Sequence, residues 1–185
     1  MYKRQDEEGA NDAVVYGEWR FNKLRVVDVA TKEVRTLAGV DGHVCHFSWS
    51  PDSSAIAYSS QKTPEDHSPA WHGTRLQTVR VEGGEVEYLA TFPAELRDLC
   101  WAGSDLWWRA TYDLKNTISS YCVYGMSLDT KEWTRRGYGE TNDATPFDFG
   151  PGLRVTPAGL VAQVQEGLNH QLHICLLYTS PSPRD

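Results

Sequence analysis

Histidine and cysteine side chains lie close together in His43-Val44-Cys45-His46, a grouping in which a metal ion or a reactive thiolate would first be sought. Along a β-strand, alternate side chains point to opposite faces, so Cys45 and His46 would not share a face. No second group of ligands is visible elsewhere in the sequence. The segment therefore indicates ordinary strand residues, and we expect no metal site and no cofactor.

The cysteines point to packing rather than to chemistry. The sequence has four cysteines, of which Cys175 lies in a terminal segment treated below. The other three, Cys45, Cys100 and Cys122, are an odd number and are not closely spaced in pairs. This spacing gives no disulfide framework. Cys45 and Cys100 fall on predicted inner strands, where a free thiol behaves as a small hydrophobic side chain. We therefore favour a packing role for both.

A serine nucleophile of the hydrolase type would need the turn Gly-x-Ser-x-Gly, which exposes the hydroxyl between a strand and a helix. The sequence contains no such motif, so we assign no catalytic residue and predict no peptidase activity for this chain. We assign no binding residue either. His67, Trp71 and His72 lie in a long polar stretch over 59–73, which is a solvated loop or a rim element that contacts a ligand or adjoining domain. The solvated loop is favoured.

The elements that would position these side chains recur along the chain. Trp49, in the hairpin Phe47-Ser48-Trp49-Ser50-Pro51-Asp52, returns as Trp101 after 52 residues, and Glu33 returns as Glu85 at the same interval. Thr31-Lys32-Glu33 is repeated residue for residue as Thr130-Lys131-Glu132. Such a period is typical of a repeat architecture built from small sheets.

Two hairpins make up each repeat. An inner pair of strands, 44–49 and 55–58, is followed by an outer pair, 74–81 and 85–89, giving an antiparallel unit of about 50 residues, the size of a propeller blade. We predict an all-β fold, a partial β-propeller of about three to four four-stranded antiparallel blades. The predicted blade pieces are about 14–38, 44–91, 96–137 and 147–174.

Aromatic residues are concentrated on the predicted inner strands: Phe47, Trp49, Tyr58, Trp101, Trp107 and Trp108. Packed sheets lie about 10 Å apart, and large flat side chains fill that space. A carbohydrate-stacking platform is the alternative. Because Trp107 and Trp108 are consecutive and point to opposite faces, they cannot form one platform, and packing between blades is favoured.

We expect the two ends of the chain to differ in origin from the rest. Residues 1–5 can be encoded by GTG TAT AAG AGA CAG, and residues 175–185 by a string that opens TGT CTC TTA TAC ACA TCT. Together they resemble the inverted ends of a transposase sequencing adapter. We therefore exclude 1–5 and 175–185 from fold reasoning as adapter-derived, and expect 6–174 to be a fragment of a longer protein.

Charge and hydropathy exclude some partners. The chain has 18 Lys and Arg residues and 25 Asp and Glu residues, which gives a formal net charge of −7. Omitting the end segments makes this charge more negative. Nucleic-acid binding needs basic clusters, so we expect no nucleic-acid partner. There is no run of about 18 apolar residues and hence no predicted membrane segment. The compartment stays open, with the cytoplasm favoured.

Phe47-Ser48-Trp49-Ser50-Pro51-Asp52, followed by Ile56-Ala57-Tyr58, resembles the inner hairpin of propeller repeats in the Tol-associated periplasmic protein and in the prolyl oligopeptidase family of serine peptidases. The outer hairpins around Glu33 and Glu85 resemble the same repeats. Ser53 stands where those repeats usually have Gly. The outer hairpin with Gly83-Gly84-Glu85 and the irregular blades resemble the amino-terminal propeller of acylaminoacyl-peptidase and dipeptidyl-peptidase relatives.

That resemblance implies a non-catalytic propeller that gates peptide access to an α/β-hydrolase domain outside this chain. The implied partners are this hydrolase domain, the remaining blades of the same protein and, for the parent protein, a peptide substrate. The alternative is a stand-alone protein-binding propeller of the Tol-associated or scaffold type. A sialidase ranks last, because Ser50-Pro51-Asp52 lacks the Gly, Thr and Trp that complete the sialidase box.

Overall fold

The computed structural model describes residues 21–37, 42–64, 69, 72–116, 118–139, 142–144 and 152–175. These residues form thirteen strands: β1 (Arg25–Val27), β2 (Val34–Thr36), β3 (His43–Trp49), β4 (Ala55–Gln61), β5 (Thr74–Arg80), β6 (Glu87–Phe92), β7 (Arg97–Ala102), β8 (Asp105–Thr111), β9 (Tyr121–Ser127), β10 (Trp133–Gly137), β11 (Leu153–Thr156), β12 (Gly159–Glu166) and β13 (Asn169–Cys175). The predicted all-β class is confirmed. No helix in the described part of the chain has the length and apolar character to cross a membrane.

The strands form four antiparallel sheets, which we call blades 1 to 4. Blade 1 is the hairpin β1-β2, blade 2 is β3-β4-β5-β6, blade 3 has β7 to β10 in the same order, and blade 4 is β11-β12-β13. Consecutive strands are always neighbours, so each blade is a simple meander. The inner and outer hairpins predicted from the sequence pair in this way in blades 2 and 3.

The turns of the outer hairpins each contain a residue with a positive φ angle. Lys32 and Lys131, which occupy the same place in the repeated Thr-Lys-Glu, have φ angles of 59° and 57°. Gly84, 52 residues after Lys32, has a φ of 114°. In both Thr-Lys-Glu turns, the Thr hydroxyl accepts a hydrogen bond of 3.3 Å from the Glu amide, a local contact that favours the reversal. The sequence repeat therefore marks a conformational repeat.

The Ser-Pro-Asp turn between β3 and β4 is organised around Asp52. The Ser50 hydroxyl donates a hydrogen bond to the Asp52 carboxylate at 2.6 Å, and the Ser54 amide donates one to the same carboxylate at 3.0 Å. These hydrogen bonds lower the pKa of Asp52 to about 2, and the bond from Ser50 makes the largest contribution. Ser53 has a φ of 61°, which explains why related repeats place Gly at this position.

Each pair of neighbouring blades encloses its own core. Side chains alternate between the two faces of a strand, so Ile56 and Tyr58 pack towards blade 1, whereas Ala57 packs towards blade 3. The cluster between blades 2 and 3 includes Phe92 and Trp108. The apolar core is thus divided among the interfaces, as expected of a repeat fold.

Strand β13 was not predicted as a separate strand. It follows a turn at Gly167, whose φ is 61°, and runs antiparallel to β12, with Cys175 opposite Leu160. Cys175 thus ends a strand, although the sequence assigned it to the adapter-like tail. The other adapter-like residues, 1–5 and 176–185, lie outside the described residues, as do His67 and Trp71. His72 is described and is exposed.

Candidate functional site

The first strands of blades 2, 3 and 4 meet around a cavity of about 510 Å³. Its lining consists of residues 46–49 of β3, 98–101 of β7 and 153–155 of β11. Each of these strands is the edge strand of its sheet, because the strand order places it at one end. The cavity therefore lies on the side where the innermost strands of successive blades converge. A volume of this size falls in the range of small-molecule sites.

Two aromatic side chains of the cavity are exposed, contrary to the prediction that they pack between blades. Phe47 is 57% exposed and Trp49 is 43% exposed. Their cross-strand partners are Tyr58 and Ile56, so they share the face of blade 2 that is turned towards blade 1. In the described part of the chain, blade 1 consists only of an outer hairpin.

The packing prediction is confirmed for the other Trp pair. Trp108 is fully buried in the core between blades 2 and 3, whereas Trp107 packs against the core between blades 3 and 4. The two rings lie on opposite faces of β8, as alternation requires, and they do not form a stacking platform. Tyr58 is also fully buried. Trp101 is partly buried against the core between blades 2 and 3, and its amide donates to the Ser48 hydroxyl at 2.9 Å.

A buried ion pair forms part of the cavity wall. Asp98 has a φ of 52° and lies in an irregular part of β7, where the register with β8 shifts. Its carboxylate forms an ion pair with Arg109, whose Nε donates to Oδ2 at 2.5 Å. The Asp98 side chain is 12% exposed and that of Arg109 is 3% exposed. A non-glycine residue held in the left-handed region indicates that its surroundings fix its position.

The same pair connects blade 3 to blade 4. The Gly152 amide donates to Asp98 Oδ2 at 3.0 Å, and Arg109 Nη1 donates to the Ala144 carbonyl. A Cβ atom at Gly152 would lie 2.7 Å from the Arg109 guanidinium carbon, so the backbone approaches this closely only because the residue is glycine. Arg109 also lies over the Tyr121 ring, with its Cζ 5.8 Å from the centroid. These directional contacts hold β7 and the segment at Gly152 in place at the cavity wall.

His46 is the titratable histidine of the cavity. Burial lowers its pKa below the ordinary value of 6.5; Asp98 and Glu95 oppose the shift, while Arg97 and Arg109 add to it. The neutral imidazole is therefore favoured near pH 7. A neutral imidazole has one donor and one acceptor nitrogen, so His46 could donate a hydrogen bond to a ligand in the cavity or accept one from it.

The thiols are held in their protonated form. Burial raises the pKa of Cys45 to about 11 and that of Cys100 to about 12. Burial also raises the pKa of Cys122. A thiol with a raised pKa is a poor nucleophile and a poor metal ligand. This agrees with the packing role that the sequence favoured.

The geometry around Cys45 differs from the simple alternation assumed for it. The register of β3 and β4 shifts between Val44 and His46, so Cys45 is an extra residue in a β-bulge. Within the described ranges, no three His, Cys, Asp or Glu side chains are grouped as a metal site would require. The expectation of no metal and no cofactor stays a prediction.

Sequence reasoning missed Asp98, Arg109 and Gly152. These residues come together only because a bulge turns Asp98 inward and because Gly152, 54 positions later, approaches it. One signal was available, since the charged Arg109 directly follows the apolar run Leu106-Trp107-Trp108 on a predicted inner strand. A charge in a predicted buried strand requires a partner.

Comparisons with known proteins identify the kind of fold. No protein-family model matches this chain, and no curated protein matches it in sequence. Among solved structures, TolB from Acinetobacter baumannii is similar over 81% of this chain, with 17% identity and a TM-score of 0.57. An oligogalacturonate lyase in complex with manganese is similar over 80%, with 15% identity and a TM-score of 0.58. A prolyl endopeptidase is similar over 82%, with 15% identity and a TM-score of 0.54.

These similarities concern the fold alone, since identities of 15% to 17% carry no site residues. The chain spans 34% of the TolB chain, 42% of the lyase chain and 23% of the prolyl endopeptidase chain. The neighbours are β-propeller proteins built from four-stranded antiparallel sheets. The predicted partial β-propeller is therefore confirmed.

Proposed function

We propose that this chain is a non-catalytic propeller part of a serine peptidase of the prolyl oligopeptidase family, and that it gates peptide access to an α/β-hydrolase domain outside these residues. The observation that carries the proposal is the cavity of about 510 Å³ where β3, β7 and β11 converge. Its lining combines apolar side chains such as Trp101 and Val155 with hydrogen-bonding groups such as His46. Such a surface suits an extended peptide, which presents apolar side chains and amides together.

The peptidase assignment is supported by the resemblance of Phe47-Ser48-Trp49-Ser50-Pro51-Asp52 to prolyl oligopeptidase repeats, and a prolyl endopeptidase is among the proteins that share the fold. The chain carries no Gly-x-Ser-x-Gly motif, so hydrolysis would have to be carried out by residues elsewhere in the parent protein. The proposal rests on fold analogy for the reaction and on the cavity for the peptide.

Two uncovered sheet faces support further blades as partners. On blade 1, the cross-strand pair Val27 and Val34 is exposed, on the face turned away from blade 2. On blade 4, Leu172 and Ile174 are exposed on β13. Apolar side chains at these positions would be buried by neighbouring blades, as happens between blades 2 and 3.

A stand-alone protein-binding propeller is the second candidate, and the similarity to TolB favours it. The two candidates differ in the ligand that the cavity accepts. A gate admits short flexible peptides and excludes folded proteins, whereas a protein-binding propeller holds a folded partner or its exposed terminus.

Sequencing of longer DNA from the same source tests the peptidase assignment. A Gly-x-Ser-x-Gly motif within a few hundred codons downstream is the expected result, and a stop codon soon after further blades would overturn the assignment. The purified chain itself should release no chromogenic product from acylaminoacyl substrates. Release of product would show that catalytic residues were missed here.

A further inference from the structure

The outer edge of blade 4 differs from the outer edges of blades 2 and 3. Blades 2 and 3 each end in a fourth strand, whereas in the described part of the chain blade 4 ends at β13. No described strand lies on the far side of β13. An edge strand presents a row of backbone N–H and C=O groups that can pair with another strand. β13 is therefore the place where a further strand could extend the sheet of blade 4.

The hydrogen bonds of β12 show which residues of β13 direct their backbone groups outward. The Gln163 amide donates to the Gly152 carbonyl at 2.8 Å, so the backbone groups of Gln163 point away from β13. Opposite residues of an antiparallel pair either exchange backbone hydrogen bonds or both turn those groups away from each other. Leu172 lies opposite Gln163, so its N–H and C=O groups point to the edge. Alternation along the strand directs the backbone groups of His170 and Ile174 to the same side.

The other edge strands of the described sheets have features that hinder pairing with a further strand. A register shift interrupts the ladders of β3, β6, β7 and β10, and each shift places an extra residue in the edge strand. Strands β1, β2 and β11 are only three or four residues long. By contrast, β13 pairs with β12 over seven residues without a shift, and it contains no Lys, Arg, Asp, Glu, Pro or Gly. Among the described edges, β13 alone is long, regular and free of these residues.

The sequence of β13 matches itself when two copies run antiparallel with Leu172 opposite Leu172. The two leucines would exchange two backbone hydrogen bonds, because their backbone groups point outward in both copies. In this register, Ile174 lies opposite His170 of the second copy, and His173 lies opposite Gln171. Leu172 is 73% exposed and Ile174 is 56% exposed, and pairing would bring these side chains together on one face of the joined sheet.

We propose that two copies of this chain associate through their β13 strands, in antiparallel register about Leu172, so that the two blades 4 form one continuous six-stranded sheet. Residues 176–185 of the same chain match the edge less well, because Pro181 and Pro183 lack the N–H group that a strand ladder requires. The inference is independent of the peptide role proposed above, since β13 is not part of the cavity lining.

Sedimentation velocity of the full chain over a range of concentrations tests the proposal. We expect a monomer–dimer equilibrium with a Kd on the order of 10 μM, because a contact between two strand edges is smaller than a standard protein interface. Hydrogen exchange followed by NMR tests the register. The amides of Leu172 and Ile174 should become protected as the concentration rises, whereas the Gln171 amide, which points towards β12, should exchange at a rate independent of concentration.

Variants assign the association to the strand edge. Leu172→Pro removes the central outward N–H group and no hydrogen bond to β12, so it should weaken association at least about tenfold while the chain still folds. Leu172→Lys should also weaken association, because it places two like charges opposite each other. Leu168→Lys is the matched control, since Leu168 is an exposed leucine in the turn before β13, and it should leave the dimer intact. Circular dichroism of each variant verifies the fold.

A second control separates edge pairing from association through the apolar face of blade 4. Val161 lies on β12, opposite Ile174 and away from the edge. Val161→Lys should therefore leave the dimer intact. A dimer that is lost in Val161→Lys but retained in Leu172→Pro would assign the association to the sheet face and overturn the proposal. A chain that stays monomeric well above the expected Kd would also overturn it, including the case in which residues 176–185 protect the edge amides.

Discussion

The interface between blades 2 and 3 and the interface between blades 3 and 4 join similar sheets by different chemistry. Between blades 2 and 3, the Phe92 ring meets three others edge to face, with centroid distances of 5.3 Å to Trp108, 5.0 Å to Tyr124 and 5.0 Å to Trp133. Trp108 and Tyr124 stack at 6.2 Å. This contact is an apolar, aromatic core.

Between blades 3 and 4, the apolar side chains are smaller, and the buried Asp98–Arg109 pair stands beside them. The core residues there include Leu160, Ala162 and Val164. Apolar contacts are non-directional, whereas the ion pair and its bonds to Gly152 and Ala144 fix distances and angles. We therefore expect the first interface to supply more stability and the second to fix the position of β11 at the cavity.

Removing the central ring of the first interface should have the largest effect. Trp108→Ala deletes a fully buried side chain that contacts both blades, and we expect a loss of about 4 kcal/mol in the free energy of unfolding. Urea unfolding followed by far-UV circular dichroism measures it. Trp49→Ala is the matched control: its exposed ring should cost less than about 1 kcal/mol. Equal losses in the two variants would contradict the assigned packing.

Breaking the ion pair should come next. Arg109→Met leaves the Asp98 carboxylate beside a buried apolar side chain, and we expect a loss of about 3 kcal/mol. The double variant Asp98→Asn/Arg109→Met removes both charges, while Asn tolerates the left-handed backbone of residue 98 and can still accept from the Gly152 amide, and it should recover most of this loss. A double variant as unstable as the single one would show that the bond from Arg109 to Ala144, rather than charge pairing, holds the interface. Urea unfolding of both proteins decides between these results.

The contrast between the interfaces also explains what could be predicted from the sequence. Alternation, turn residues and the repeat of Thr31-Lys32-Glu33 depend on neighbours in the chain, so the strands of blades 2 and 3 were predictable. The cavity and the ion pair were not, because they depend on bulges at Cys45 and in β7 and on contacts between distant segments. Alternation predicts which face a residue occupies, but not whether a neighbouring blade covers that face, as Trp49 shows.

A smaller change tests how tightly the second interface is packed. Gly152→Ala would place a methyl group 2.7 Å from the Arg109 guanidinium carbon, so one of the two must move. We expect a loss of about 2 kcal/mol, typical of overpacking. Gly137→Ala is the control, since nothing lies within 4 Å of its Cβ position, and it should change stability by less than about 0.5 kcal/mol. Tolerance of Ala at Gly152 would mean that blade 4 shifts freely against blade 3.

The smallest expected effect is a change of stability with pH caused by His46, which lies where the two interfaces meet. Burial lowers its pKa in the folded protein, so the unfolded chain takes up the proton first as the pH falls. Stability should therefore be fully present above pH 6.5 and decline below it, and His46→Gln should remove that part of the decline. Burial also lowers the pKa of His43. His43 therefore adds the same loss of stability at low pH to the parent protein and to the His46→Gln variant.

The size of this decline is limited because nearby charges act in opposite directions on His46. Asp98 and Glu95 favour the protonated ring, whereas Arg97 and Arg109 oppose it. An NMR titration of the imidazole measures the folded-state pKa directly. A value at or above 6.5 would place the ring in solvent or under the control of Asp98. In Arg109→Met, the loss of a nearby positive charge should raise the His46 pKa, which would link the ion pair to the cavity wall.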